Sequence, residues 1–170
     1  MHFQCVIWVK NAPFVTSLNY HQILILLPLT AMSEVYLTRK EHFNAAHRLH
    51  RADWSEDENE RVFGRCANAN WHGHNYTLLV TVKGTPNPDT GFIINLKDLA
   101  LLMEHEVVVK LDHKNLNVDV PFMKGILPST ENLAIEIWKI LEPLIQAQHA
   151  KLFSVRLFET ENNSVEYRGE

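Results

Sequence analysis

A thiol and two imidazoles, Cys66, His72 and His74, fall within nine residues of the stretch Gly64-Arg65-Cys66-Ala67-Asn68-Ala69-Asn70-Trp71-His72-Gly73-His74-Asn75-Tyr76. Side chains of these types bind metal ions and move protons near neutral pH. His72 and His74 are two residues apart at the start of a β-rich run, Asn75 to Lys83, and strand geometry points such residues to the same face. Two imidazoles placed in that way can share a cation. A zinc centre that does chemistry takes three protein ligands and keeps a fourth position open, so a third donor must come from elsewhere in the chain. His47 is the best candidate, because it closes a second β-like run, Glu34 to Ala46, which could pair antiparallel with the first. His-Gly-His alone is a weak signal, since a pair of half-exposed strand histidines gives the same pattern.

The elements that must position these groups are readable from periodicity. Val35 to His47 is rich in β-formers and free of Gly and Pro, as a long strand requires, and its parity places Arg39, Phe43 and His47 on one face. Ser55-Glu56-Asp57-Glu58 has the form of a capping box, which predicts a short surface helix that Gly64 stops, delivering Arg65 and Cys66 toward the histidine pair. After the Asn75 to Lys83 strand, the turn formers Gly84 to Gly91 lead to a short strand at Phe92 to Asn95. Asn95 is the cap of a helix running from Leu96 to about Lys110, with Leu99, Leu102, Met103 and Val107 as its buried stripe. Ser129 or Thr130 caps a second amphipathic helix, ended or kinked at Pro143. Leu152 to Thr160 and Ser164 to Arg168 form a closing hairpin. The predicted order is β-β-α-α-β-β, an α+β domain.

Composition narrows the function. With 170 residues and 46% hydrophobic content the chain is long enough for one domain with a substantial core. The net charge of −4 and the scattered basic residues give no electrostatic footprint for nucleic acid or an anionic membrane. An anionic substrate must therefore meet a local basic patch. Residues 1–31 carry one charge, Lys10, and an apolar run broken by Pro28 that is too short to span a bilayer. They read as a poorly ordered N-terminal extension, with Met32 as an alternative start and residues 32–170 as the domain. Cys5 and Cys66 imply no disulfide framework, which fits a reducing, cytoplasmic setting. The six glycines are scattered, so no phosphate loop or dinucleotide fingerprint is present. The helix containing Glu104-His105-Glu106 lacks the second histidine of a metalloprotease, and the Pro-Cys-x-x-Cys of a zinc deaminase is absent.

Three further polar groups stand out. Asp112 and His113 sit just after the first long helix, where loops carry function; as neighbours on a helix they would not face each other. Cys66 is either a small buried hydrophobe or, beside zinc and an imidazolium, an easily ionised thiol that serves as a base. Glu159 shares parity with Val155 and Leu157 on an apolar strand, so it points inward and needs donors.

Five blocks in order, Phe43-x-x-x-His47-Arg48-Leu49-His50, Phe63-Gly64-Arg65-Cys66-x5-His72-Gly73-His74-Asn75-Tyr76, Leu111-Asp112-His113-Lys114-Asn115-Leu116, Thr130-Glu131-Asn132 and Glu159-Thr160-x-Asn162-Asn163, closely resemble the 6-pyruvoyltetrahydropterin synthases of the animal type. The resemblance runs from about Tyr36 to Glu170. It implies the tunnelling fold: a four-stranded antiparallel sheet with two helices on one face, whose trimers close a β-barrel and pair into a homohexamer. It also implies one Zn2+ per subunit on His47, His72 and His74, with Mg2+ accompanying the triphosphate of the substrate. Cys66 is then the catalytic base, assisted by Asp112 and His113, and Glu159 anchors the pterin beside Thr130 and Glu131. The implied reaction converts 7,8-dihydroneopterin triphosphate to 6-pyruvoyltetrahydropterin by a zinc-dependent, phosphate-eliminating lyase in tetrahydrobiopterin biosynthesis. The alternatives are a 6-carboxytetrahydropterin synthase and a zinc-binding assembly protein without catalysis. Bacterial carboxytetrahydropterin synthases typically place the cysteine three residues before His-Gly-His, whereas five residues separate Cys66 from His72 here. Trp71, Ala67 and Ala69 depart from the usual loop. Arg39, Lys40 and Arg48 are the cations expected to gather around the triphosphate, since the overall field of the protein does not favour it.

Overall fold

A computed structural model describes residues 33–170; the expectations for the first 31 residues and for Met32 as a start lie outside the described residues. Five strands, β1 (Val35–His47), β2 (His72–Gly84), β3 (Lys114–Asn115), β4 (Lys151–Phe158) and β5 (Ser164–Tyr167), form one sheet in the order β3-β1-β2-β4-β5. The helices are α1 (Glu56–Phe63), α2 (Leu96–Met103), α3 (Val109–Leu111) and α4 (Thr130–Ala147). The α+β class holds. The expected four-stranded antiparallel sheet is corrected in two ways. A two-residue β3 is added and pairs parallel with β1, and Phe92 to Asn95 is a bend rather than a strand.

Strand alternation builds the two faces. Along β1 the odd positions Phe43, Ala45 and His47 are buried, and along β2 the even positions Tyr76, Leu78, Val80 and Val82. These residues pack with Val155 and Leu157 of β4 against Leu99, Met103 and Val107 from the α2 region and Leu133, Ile137, Leu141 and Ile145 of α4. The other face of the sheet carries Thr38, Lys40, His42 and Thr81, the polar half of the alternation.

Helix ends follow the chemistry of their caps. Ser55 accepts from the Glu58 N–H at 3.1 Å, Asn95 from Lys97 at 2.9 Å and Ser129 from Asn132 at 3.3 Å. Between α2 and α3 the chain makes a π-turn at Glu104–Val108, which periodicity did not reveal. Nor does Pro143 end α4. The helix runs on to Ala147, held by the buried Leu141 and Ile145 on either side of the missing N–H.

Candidate metal centre and cleft

The β1–β2 register sets Ala45 opposite His74, Ala46 opposite Gly73 and His47 opposite His72. Residues facing each other across an antiparallel pair share a side, so His47, His72 and His74 all project from the helix-covered face at one end of the sheet. Gly73 lets the two strands approach closely between them: a Cβ there would lie 3.3 Å from the Ala45 carbonyl oxygen, a tight contact. The ring centroids are 4.5 Å (His47–His72), 4.9 Å (His72–His74) and 5.1 Å (His47–His74) apart. One ligand nitrogen from each lies within 4.8 Å of the others.

His47 is 1% exposed, and its Nδ1 lies 2.8 Å from the Pro128 carbonyl oxygen. A carbonyl only accepts, so Nδ1 carries the proton and Nε2 presents its lone pair. That Nε2, both ring nitrogens of His72 and Nε2 of His74 are buried without a hydrogen-bond partner. Burial is the first cause that lowers all three imidazoles below their ordinary value, which favours the neutral, ligating form. Three neutral imidazoles with orphaned lone pairs fit zinc or a related first-row dication.

Glu159 completes the floor. It follows β4, where Phe158 pairs with Thr77, and its Oε1 accepts the Thr130 hydroxyl at 2.9 Å. The same oxygen is 3.7 Å from Nε2 of both His47 and His74. Beside it opens a cleft of about 520 Å³, lined among others by Cys66, Thr130, Glu131, Glu159, Asn162 and Asn163. Cys66 arrives on a single 3₁₀ turn, Gly64–Ala67, which begins where α1 is stopped by Gly64 at φ 54°. Burial, and then the Glu159 charge, push its thiol up. A dication among the histidines would act in the opposite direction.

Asp112 and His113 meet after all. Asp112 is extended and His113 is left-handed (φ 57°), so they are off the helix, and Asp112 Oδ2 lies 2.8 Å from His113 Nδ1. The Asn44 N–H, donating at 2.7 Å, and then His113 hold the Asp112 carboxyl below its ordinary range. This pair does not line the Cys66 cleft. His113 lines a separate hollow of about 430 Å³ with His74, Lys114 and Asn115, on the β3 edge of the sheet.

The expected cluster of cations does not form within the protomer. Arg39 pairs with Glu41, Nε to Oε1 at 2.8 Å. Lys40, one residue on, faces the other side of the sheet, where it borders a groove with His42 and Thr160. Arg48 is spent on the Ala67 carbonyl and Glu56. Two groups escaped the sequence reading. Tyr76, buried with its hydroxyl unpartnered, stacks on Phe43 and stands edge-on to His74 at 5.7 Å; its parity with His72 and His74 was the available signal. Asn117 holds the backbone of Arg48 from 69 residues away, and nothing in the spacing announces it.

The family model described as 6-pyruvoyl tetrahydropterin synthase matches residues 36–170. The Homo sapiens protein named 6-pyruvoyl tetrahydrobiopterin synthase is 42% identical over 137 residues, covering 81% of this chain and 93% of its own length. A protein of the same name from Dictyostelium discoideum is 46% identical over 136 residues, covering 80% of this chain and 97% of its own. The solved structure of Caenorhabditis elegans 6-pyruvoyl tetrahydropterin synthase matches with a TM-score of 0.76 at 37% identity, over 82% of this chain and 98% of that one.

Proposed function

The chain belongs to the 6-pyruvoyl tetrahydropterin synthase family, and on that premise we propose that it converts 7,8-dihydroneopterin triphosphate to 6-pyruvoyltetrahydropterin with elimination of triphosphate. The observation that carries this reading is the placement of an inward carboxylate, Glu159, between three imidazoles that each present an unpartnered ring nitrogen and a cleft holding a thiol. We assign the metal to zinc, held by His47, His72 and His74, one per subunit. Such an ion supplies Lewis acidity to hydroxyls of the substrate side chain, which makes the adjacent C–H bonds acidic.

The residues of the chain do the rest. Glu159 accepts the two N–H donors of the aminopyrimidinone edge and so fixes the pterin in the cleft, with Thr130 holding the carboxylate and Glu131 at the rim. Cys66 as thiolate takes the side-chain proton. Asp112 holds His113 through Nδ1, which directs Nε2 outward as the partner in proton transfer. Loss of protons from the side chain moves reducing equivalents into the ring without an external redox cofactor, and triphosphate leaves as the anion. That makes the enzyme a carbon–oxygen lyase.

Cys66 and His113, which Asp112 holds, line different hollows of one protomer, so we propose that another copy supplies the Asp112–His113 pair. The sheet has its β3–β1 edge on one side and its β5 edge on the other, and a head-to-tail contact between such edges generates a closed ring. Three copies closing a barrel, paired as a hexamer, are the assembly the family resemblance implies. We place the catalytic domain at residues 32–170 and the protein in a reducing, cytoplasmic setting, where Cys66, the free cysteine among the described residues, persists as a thiol. Among those residues no helix is long and apolar enough to cross a membrane. Turnover of dihydroneopterin triphosphate with product analysis tests the proposal: a pyruvoyl product supports it and a carboxylated one overturns it. Cys66→Ala is expected to abolish turnover and leave metal and pterin bound.

A further inference from the structure

Arg48 follows the metal-ligand candidate His47 directly, and four hydrogen bonds converge on it. Its N–H donates to Asn117 Oδ1 at 2.9 Å, and its carbonyl accepts from Asn117 Nδ2 at 2.9 Å. One side-chain amide thus grips both backbone groups of a single residue. The Arg48 side chain, only 20% exposed, sends Nε to the Ala67 carbonyl at 2.6 Å and a terminal nitrogen to Glu56 Oε2 at 3.3 Å. Next door, the Leu49 N–H donates to the Cys66 carbonyl at 2.8 Å. Every residue of the Cys66 turn that is tied to the end of β1 is tied through Arg48 or Leu49.

We propose that Arg48 and Asn117 are positioning residues that fix the Cys66 thiol relative to the metal-ligating histidines, and that Arg48 does not bind the triphosphate. A guanidinium whose Nε is bonded to a backbone carbonyl and one of whose terminal nitrogens lies 3.3 Å from a carboxylate is held toward acceptors of its own chain rather than toward a phosphate. The Cys66 turn is one 3₁₀ turn with no side-chain cap of its own, so its placement depends on such outside contacts. The proposal deepens the functional reading above, because it concerns the thiol assigned there as the base.

The test uses full-length, zinc-loaded protein in a Cys5→Ser background, so that iodoacetamide reports on Cys66 alone. Its first readout needs no substrate and separates failure of the clamp from failure of the assigned reaction. Arg48→Ala is expected to raise the alkylation rate by at least about tenfold, the lower end of the effect of losing one charge-assisted bond, with zinc content unchanged. Asn117→Ala should move the rate in the same direction. On dihydroneopterin triphosphate, kcat should fall by about 10- to 100-fold at constant KM, since a small misplacement of a reacting group acts on the transition state. Arg48→Lys, which keeps the charge but reaches only one acceptor at a time, should fall between wild type and alanine, and it serves as the variant to read if alanine does not fold. An unchanged alkylation rate overturns the proposal. So does a rise in KM for the triphosphate at constant kcat, which would return Arg48 to the phosphate.

Discussion

Replacing Glu159 by Gln keeps the shape of the floor and removes its charge. In the wild type, Oε1 accepts the Thr130 hydroxyl at 2.9 Å, and the second oxygen has no protein donor among the described residues. A carboxylate has enough lone pairs to serve Thr130 and two pterin N–H donors together, whereas the single amide oxygen of Gln cannot, and its NH2 meets a donor head-on. One charge-assisted bond worth about 1.5 to 3 kcal/mol is lost, so Kd for the pterin should rise roughly 10- to 150-fold. Fluorescence titration with dephosphorylated dihydroneopterin, on protein with measured zinc content, reads this without contribution from the triphosphate or from turnover. Oε1 also lies 3.7 Å from Nε2 of His47 and of His74, so metal content is the control. A Kd within about threefold of wild type at full metal loading would refute the reasoning. The carboxylate would then serve the histidines and not the pterin.

Other outcomes follow from the same geometry. His72→Ala should leave the fold intact and empty the metal centre, because two imidazoles and the fixed Nε2 geometry of His47 do not replace a three-ligand set; full zinc occupancy by elemental analysis would show the assignment to be wrong. Burial first of all lowers His47, His72 and His74, so the unfolded chain takes up protons on them before the folded protein does. Their contribution to stability is complete above about pH 6.5 and declines as pH falls below it; zinc should therefore leave only below about pH 6.5, with Tm dropping in parallel. Half-release above pH 6.5, followed with a zinc-binding dye, would contradict this. Inactive Cys66→Ala and inactive His113→Ala, unfolded and reassembled together, should recover about one quarter of wild-type turnover by random mixing if the two residues meet between copies. No recovery would place the proton-transfer pair elsewhere.

What the sequence revealed depended on how local the responsible physics is. The histidine trio was legible because strand parity and one antiparallel pairing are enough to gather it, and the observed register puts His47 opposite His72. Caps at Ser55, Asn95 and Ser129 were equally local, each a side chain bonding an N–H two or three residues on. Contacts that join distant segments were not legible. The grip of Asn117 on Arg48 and the two-residue β3 against β1 depend on how a loop returns to the sheet. The direct Asp112–His113 bond was not predictable for a related reason. Helical spacing gives no ground for it, but the chain leaves the helix at Asp112 and turns left-handed at His113. Arg39 and Arg48 were expected to serve an outside anion, yet both found acceptors within the protein, Glu41 for one and the Ala67 carbonyl with Glu56 for the other.

If the site is divided between two hollows as proposed, assembly has a chemical role. The three histidines and Glu159 come from β1, β2 and the residue after β4, all at one end of one sheet, so in the proposed reading a single protomer carries both the metal ligands and the pterin anchor. Asp112 and His113 belong to the β3 edge, and the Cys66 cleft is bordered by Ser164 and Val165 of β5 at the far edge. A head-to-tail ring sets the β3 edge of one copy beside the β5 edge of the next. In the proposed assembly, metal and pterin binding therefore survive dilution to monomers, whereas proton transfer does not. Conditions that dissociate the ring should lower kcat steeply and leave the Kd for dihydroneopterin nearly unchanged. Equal loss of both would mean that the partner copy also builds the pterin cleft.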